Sequence, residues 1–137
     1  SESPARNHTL DIGVGRLPIR TAAEAAIVVD KLIAYDTNPN RYAGWRQEVL
    51  FVADDGDFNI HQSQADELAE LVEAGGGFST DKVYLDAYEQ ESRPSGQVSP
   101  QAAEALNLKL NKGFSIVNFT GHGSEQVWMQ ERILDVN

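Results

Sequence analysis

Ser115-Ile-Val-Asn-Phe-Thr-Gly-His-Gly-Ser124 is the stretch whose reading decides the fold. The apolar run from Phe114 to Phe119 has the length and β-branched content of a buried strand. It ends in a histidine bracketed by glycines. Gly121 and Gly123 allow a positive φ or a sharp turn on either side of His122. That lifts the imidazole out of the packed layer at the strand's carboxyl end. In α/β sheets, ligands and chemistry gather at that end.

Working outward, Glu48-Val-Leu-Phe-Val-Ala53 is a second strand, and its unbroken apolar character predicts cover on both faces. Lys82–Asp86 reads as a third, and Asp11–Gly15 as a short first strand weakened by its glycines. Helical patterns separate them. Thr21 and Glu24 form a capping box before a helix to about Thr37. Its apolar stripe is Ala22, Ala25, Ala26, Val29, Leu32 and Ile33. Asn38-Pro-Asn40 ends it, and Trp45 in the following loop reads as a packing anchor. A second helix spans His61–Ala74 with Ala65, Leu68, Ala69, Leu71 and Val72 inward, and Gly75-Gly-Gly77 stops it. Ala87–Val98 is polar and irregular. Ser99 as N-cap and Pro100 in the first position start a third helix, which Asn111-Lys-Gly113 closes. The order β-α-β-α-β-α-β predicts an α/β fold. Its sheet is mostly parallel with helices on both faces, a flavodoxin-like three-layer arrangement.

Composition narrows the function. The 137 residues carry 21 acidic and 11 basic side chains, a net charge of −10. That excludes a nucleic-acid partner, which needs clustered Lys and Arg, and adhesion to anionic lipid. No cysteine is present, so there is neither a disulfide framework nor a thiol nucleophile within the chain. No apolar stretch reaches the roughly 20 residues of a membrane span. Ser1–Asn7 is polar and lacks a signal-peptide pattern, and Leu134–Asn137 has no terminator logic. Both ends read as cuts in a longer protein.

Asp54, Asp55 and Asp57 follow the second strand on the edge expected to hold His122. Three acids on one turn repel unless something offsets them. Asp55, Asp57 and Asn59 match the first three ligands of a calcium loop. Ile60 then stands where that loop needs glycine and Asp66 where it needs glutamate, so only a looser calcium site, on Asp54 and Asp57, stays open. Helix capping is the expectation for Asp57 and Asn59. Asp55 is expected to orient the imidazole of His122. His8 reads as exposed. His61 would join His122 in a metal site only if the fold brought them together, and their spacing gives no such signal.

At its strand edge His122 suits general acid–base work. Ser124 lacks the strand–elbow–helix setting of a nucleophile. The Gly123 N–H could serve an oxyanion, since no side chain blocks approach.

Asn118-Phe-Thr-Gly-His-Gly-Ser-Glu125, with Trp128 after it, resembles the gingipain-type cysteine peptidases of the caspase-like clan. Gly15-Arg16 with the helix after it, Trp45, the Phe51-Val-Ala-Asp-Asp55 strand end and Val83-Tyr-Leu-Asp-Ala-Tyr88 extend the likeness. Tyr84-Leu-Asp-Ala-Tyr88 and Glu131-Arg-Ile-Leu134 look closest to the PorU-type sortases of the type IX secretion system. The resemblance implies that His122 is the general acid/base for a cysteine lying beyond Asn137. It implies an orienting acid after the strand Glu48–Ala53, with Asp55 the nearest match and Asp54 and Asp57 left open by a one-residue gap. Asn59 is nearest the position of a specificity-pocket acid, and with Trp128 it is a candidate substrate contact. A caspase-like fold follows, as does calcium binding as an option.

The expected organisation is then a flexible start over 1–10, a strand and helix at the junction with a preceding subdomain over 11–45, and the N-terminal part of the catalytic subdomain over 46–137. The expected partners are a polypeptide substrate, the remainder of the catalytic domain, and a second copy through an exposed sheet edge. The expected location is extracellular, or the outer-membrane surface of a Gram-negative bacterium. The first functional reading is a piece of a hydrolase, a cysteine endopeptidase or sortase, inactive alone. The alternative is a non-catalytic, calcium-dependent α/β binding module of a secreted protein.

Overall fold

A computed structural model of the protein describes residues 15–39 and 43–135. The chain forms two compact units, residues 1–41 and 42–137. The expected strand at Asp11–Gly15, apart from Gly15 itself, lies outside the described residues, as do residues 1–10.

In the first unit, helix α1 spans Ala22–Thr37. Its capping box forms as the sequence requires: Glu24 N–H donates to Thr21 Oγ1 at 3.2 Å, and Glu24 Oε2 accepts from Thr21 N–H at 3.3 Å. No residue of α1 is buried. The expected inward stripe is therefore formed but not covered, with Val29, Leu32 and Ile33 about half exposed.

The second unit is built on three parallel strands, β1 (Glu48–Ala53), β2 (Ser79–Tyr84) and β5 (Ile116–Thr120), in the order β2-β1-β5. Helices α2 (Ile60–Gly75) and α3 (Pro100–Lys112) connect them. Two hairpins complete the unit, β3 (Glu91–Arg93) with β4 (Gly96–Val98), and β6 (Val127–Trp128) with β7 (Leu134–Asp135).

Central strand β1 sorts its side chains by parity, as the strand period of two demands. Leu50 and Val52 join Val83, Leu85, Ala102, Leu106, Met129 and Ile133 on the α3 side. Val49 and Phe51 meet Ala69, Val72 and Tyr84 on the α2 side. Helices therefore cover both faces, and the α/β three-layer expectation holds.

Several local expectations are corrected. β5 is an edge strand of its sheet, not a buried one: Ile116 is 55% and Val117 36% exposed. Continuity of apolar residues cannot report a missing lateral neighbour. Leu71 of α2 faces outward, Leu68 is half-exposed where it lines an apolar cleft with Val49, Phe51 and Ile116, and only Ala65 and Ala69 are buried. Small residues there let the helix sit close to the sheet. The third strand starts at Ser79 and ends at Tyr84, and Leu85–Ala87 is a 3-10 turn. The irregular stretch holds the β3–β4 hairpin. Ser99 does not cap α3 through its side chain. Its hydroxyl instead donates to Glu89 O at 2.9 Å, tying the helix start to the segment after β2.

Parallel register places the three carboxyl ends together. Ala53 pairs with Tyr84 on one side and with Thr120 on the other. Asp54 N–H donates to Thr120 O at 3.1 Å, carrying the β1–β5 ladder one step past the strand. The segment after β1 thus lies directly beside the segment after β5.

Candidate active site

His122 sits two residues beyond β5 and presents an exposed imidazole. Asp54, the first residue after β1, is buried, with its side chain 5% exposed against 65% for His122. Asp54 Oδ2 accepts from the His122 backbone N–H at 2.9 Å and lies 2.9 Å from His122 Nδ1. Asp54 Oδ1 accepts from Asp55 N–H at 3.0 Å. A carboxylate so fixed holds the proton on Nδ1, leaving Nε2 as the basic nitrogen, 3.3 Å from Asp57 Oδ2. The hydrogen bond to Asp54 is the main reason the imidazole pKa rises above its ordinary 6.5. Desolvation opposes the rise, and the charges of Asp54 and Asp57 reinforce it.

Gly121 makes this approach sterically feasible. A Cβ there would come within 2.3 Å of Asp54 Cβ and 3.1 Å of its Cγ. Only glycine lets the carboxylate slide under the turn and reach both the backbone and the ring of His122. Gly123 has a different role. Its φ is not in the left-handed range, and an added Cβ would meet ordinary contacts, the closest being Val127 O at 3.4 Å. It pairs antiparallel with Trp128. The bonds flanking that pair run from Met129 N–H to His122 O and from Ser124 N–H to Val127 O. Neither uses the Gly123 N–H.

The acid beside the imidazole corrects the expectation for Asp55. Its Oδ2 accepts from Gln90 Nε2 at 2.5 Å, so its carboxylate is held by the β2–β3 connection, one residue away from the orienting position. The capping expectation for Asp57 and Asn59 is also corrected. Asn59 enters α2 in a left-handed conformation with no side-chain cap. Asp57, Phe58 and Asn59 all have positive φ, at 41, 57 and 63°. Such a run is costly for residues other than glycine, and it aims Asp57 at two histidines: its Oδ2 lies 3.3 Å from His122 Nε2 and 3.4 Å from His61 Nε2. Phe58 projects fully into solvent.

His61, at the start of α2, does meet His122. Their rings stand edge to face with centroids 4.9 Å apart. The meeting is tertiary, which is why spacing along the chain gave no sign of it. His8 lies outside the described residues. Ser124 Oγ accepts from Gln126 and Val127 N–H at 3.2 and 3.3 Å, shaping the turn into β6. Trp128 stacks on Phe119 with centroids 4.5 Å apart and packs against the core. Asn59 is exposed and does not line the acidic cleft beside His122. Neither candidate substrate contact therefore faces that cleft.

A cleft of about 310 Å³ opens at this edge, lined by Asp54, Asp55, Gly56, Asp57, His122, Gln130 and Glu131. Its wall is acidic, with one imidazole among four carboxylates. Glu131 is not among the site residues expected from sequence, although Glu131–Leu134 carries part of the family resemblance. It is buried, and its Oε2 has no hydrogen-bond partner. Burial pushes its carboxyl up, and the nearby charges of Asp55 and Asp54 add to this.

Hard cations such as calcium take six to eight oxygens. The carboxylates that converge are those of Asp54, Asp55 and Glu131, with ligand atoms within 4.8 Å of one another. The unpartnered Glu131 oxygen suits such an ion. The pair expected from sequence, Asp54 and Asp57, is not the set brought together, because Asp57 faces the histidines.

Searches among curated proteins and among solved structures found no match. The family model described as peptidase family C25 matches residues 2–137. With that match over nearly the whole sequence, and an α/β layer that sets a histidine beside a buried aspartate, the chain belongs to peptidase family C25, the gingipain family of cysteine peptidases.

Proposed function

We propose that this chain supplies the histidine–aspartate half of a cysteine peptidase centre, with His122 as general acid/base and Asp54 as the residue that positions it. The observation that carries the reading is the 2.9 Å contact between buried Asp54 Oδ2 and His122 Nδ1, which leaves Nε2 as the nitrogen for proton transfer. The nucleophile is a cysteine thiolate. The 137 residues contain no cysteine, so the thiol comes from sequence that follows, and the chain by itself turns over nothing.

In the assembled centre, protonated His122 pairs with the thiolate and keeps it ionised at neutral pH. The raised imidazole pKa serves this ion pair. The thiolate attacks the scissile carbonyl, and His122 Nε2–H protonates the leaving amine. Neutral His122 then takes a proton from the water or amine that resolves the acyl-enzyme. Asp54 stabilises the imidazolium in both charged stages. The Gly123 N–H, left out of the Gly123–Trp128 pairing bonds, is the donor for the oxyanion. Calcium, when bound, would supply structural charge balance on Asp54, Asp55 and Glu131, and no step runs through it. A calorimetric titration of this chain with calcium that gave neither heat nor a change in melting temperature would remove that role.

The finer assignment is a sortase-like transfer at the cell surface of a Gram-negative bacterium, in which an amine resolves the acyl-enzyme. It is supported by the likeness of Tyr84–Tyr88 and Glu131–Leu134 to PorU-type sortases. Transfer of an added amine to the cleaved peptide tests it, and hydrolysis alone rejects it. The outer edge of β5 is left for a further strand of the catalytic domain, or for a second copy when that strand is absent.

The reading is tested by the coding sequence beyond Asn137. A further strand followed by a cysteine supports it. Its absence overturns the peptidase and favours the calcium-dependent binding module, for which the convergence of Asp54, Asp55 and Glu131 is the supporting observation.

A further inference from the structure

We propose that His61 is a positioning residue for the proton-carrying ring: its imidazole stands edge to face against His122 and fixes the plane in which Nε2 is presented. The proposal rests on the reading of His122 as general acid/base.

Asp54 alone leaves that plane loose. Its carboxylate holds Nδ1 and the backbone N–H of His122, each at 2.9 Å. A hydrogen bond tolerates about 30° of misalignment, and the χ2 torsion of a histidine is broad. Nε2 lies across the ring from Nδ1, so a swing about the Asp54 contact moves the reacting nitrogen. Catalytic groups must be held within about 0.5 Å and 10–20° of their working geometry. The His122 side chain is exposed, and solvent supplies no such restraint. A second contact on the ring is needed.

His61 supplies it. The two ring centroids lie 4.9 Å apart with the planes at 90°, inside the roughly 4.5–7 Å range of favourable edge-to-face pairs. His61 is itself well held. It is the second residue of α2, its side chain is only 17% exposed, and α2 is seated on the sheet through buried Ala69. His61 Nε2 is buried without a hydrogen bond. Buried polar atoms in that state are few, and each calls for a reason. The contact that His61 does make with His122 is through its ring.

Asp57 cannot fill this role. Its Oδ2 lies 3.3 Å from His122 Nε2, on the nitrogen that the thiol and the leaving amine must reach, so it has to give way whenever the centre works. Its exposed side chain is free to do so. The contact with His61 is one of rings and not of hydrogen bonds, and it can persist through every proton transfer.

Ring dynamics in the 137-residue chain and turnover in the cysteine-containing protein together test the assignment. Carbon relaxation by NMR should report a rigid His122 ring in the wild type and in His61→Phe, and a more mobile one in His61→Ala. In turnover, His61→Ala should lower kcat about ten- to a hundredfold with KM within about twofold. His61→Phe, which rebuilds the ring contact without the nitrogens, should recover most of the loss. Circular dichroism and thermal unfolding check that each variant folds, and His61→Gln, polar and ringless, replaces His61→Ala if that variant does not. A folded ringless variant with an unchanged His122 order parameter, or with wild-type kcat, overturns the proposal. So does a His61→Phe protein no faster than His61→Ala. Either result leaves the acid/base reading standing. A wild-type cysteine-containing protein that cleaves nothing overturns that reading instead, and the NMR comparison still judges the ring contact by itself.

Discussion

Gly121 and Asp54 occupy adjoining space that a single methyl group would close: a Cβ at 121 would fall 2.3 Å from Asp54 Cβ. Gly121→Ala must therefore displace either the turn or the carboxylate. Overpacking of this kind costs about 1–3 kcal/mol, and the displaced carboxylate releases His122. Thermal unfolding should show the loss, and NMR titration should show the imidazole pKa falling back toward its ordinary value. Gly123→Ala, whose Cβ meets only ordinary contacts, should leave stability nearly unchanged. Equal losses at the two glycines would contradict the account.

The aspartate that positions the imidazole is Asp54, one residue before the sequence-based expectation. In the cysteine-containing protein, Asp54→Asn should lower kcat by about 10²–10⁴-fold, the scale of a lost acid–base function. The same change at Asp55 should lower kcat far less, because its carboxylate is bonded to Gln90. Steady-state kinetics of the two variants decide the matter, and the reverse ranking would restore Asp55.

His122 should titrate above 6.5, with the hydrogen bond to Asp54 as the largest cause. Asp54, Asp57 and His61 are the titratable groups in contact with it. A base whose folded pKa is raised adds stability that is complete below its unfolded pKa and is lost as pH rises through the folded value. Unfolding midpoints should therefore fall across that window in the wild type and lose this part of the slope in Asp54→Asn. An NMR midpoint for His122 at or below 6.5 would contradict the contact.

Glu131 has the same sign of pH dependence, from a different cause: burial raises its carboxyl pKa. Its raised pKa means the folded state binds the proton more tightly than the unfolded one. Stability is therefore lost as pH rises through the folded value and stays reduced at neutral pH. Glu131→Gln removes a buried charge whose Oε2 has no hydrogen-bond partner, and should stabilise the chain at pH 7 by about 1 kcal/mol. Denaturant unfolding reads the change. A loss of stability at pH 7 would show that the charge is offset by a partner such as a bound cation.

Local chemistry was legible in the sequence wherever the cause was local. The Thr21–Glu24 box depends on two side chains three residues apart, and it forms as read. The bounds of β1 follow from an apolar run that stops at an acid. The identity of the positioning aspartate was not legible, because it depends on how far the β1–β5 ladder continues past Ala53. Asp54 bonds to Thr120 across 66 residues of chain, and the room it needs comes from Gly121. The pairing of His61 with His122 is likewise a product of register between α2 and β5. Leu71 reads as core by helical spacing yet is exposed, because the face of α2 that meets the sheet is the one carrying Ala65 and Ala69. Exposure at Ile116 and Val117 follows from sheet order, which a single strand does not encode.

His122 is the proposed proton carrier of a cysteine peptidase centre. The most direct test is kcat for peptide cleavage by the cysteine-containing protein with His122→Ala, assayed with thiol labelling to confirm that the cysteine remains accessible. The account predicts an intact, labelled protein whose kcat falls by about 10²–10⁴-fold. A folded His122→Ala protein that cleaves at the wild-type rate would contradict it.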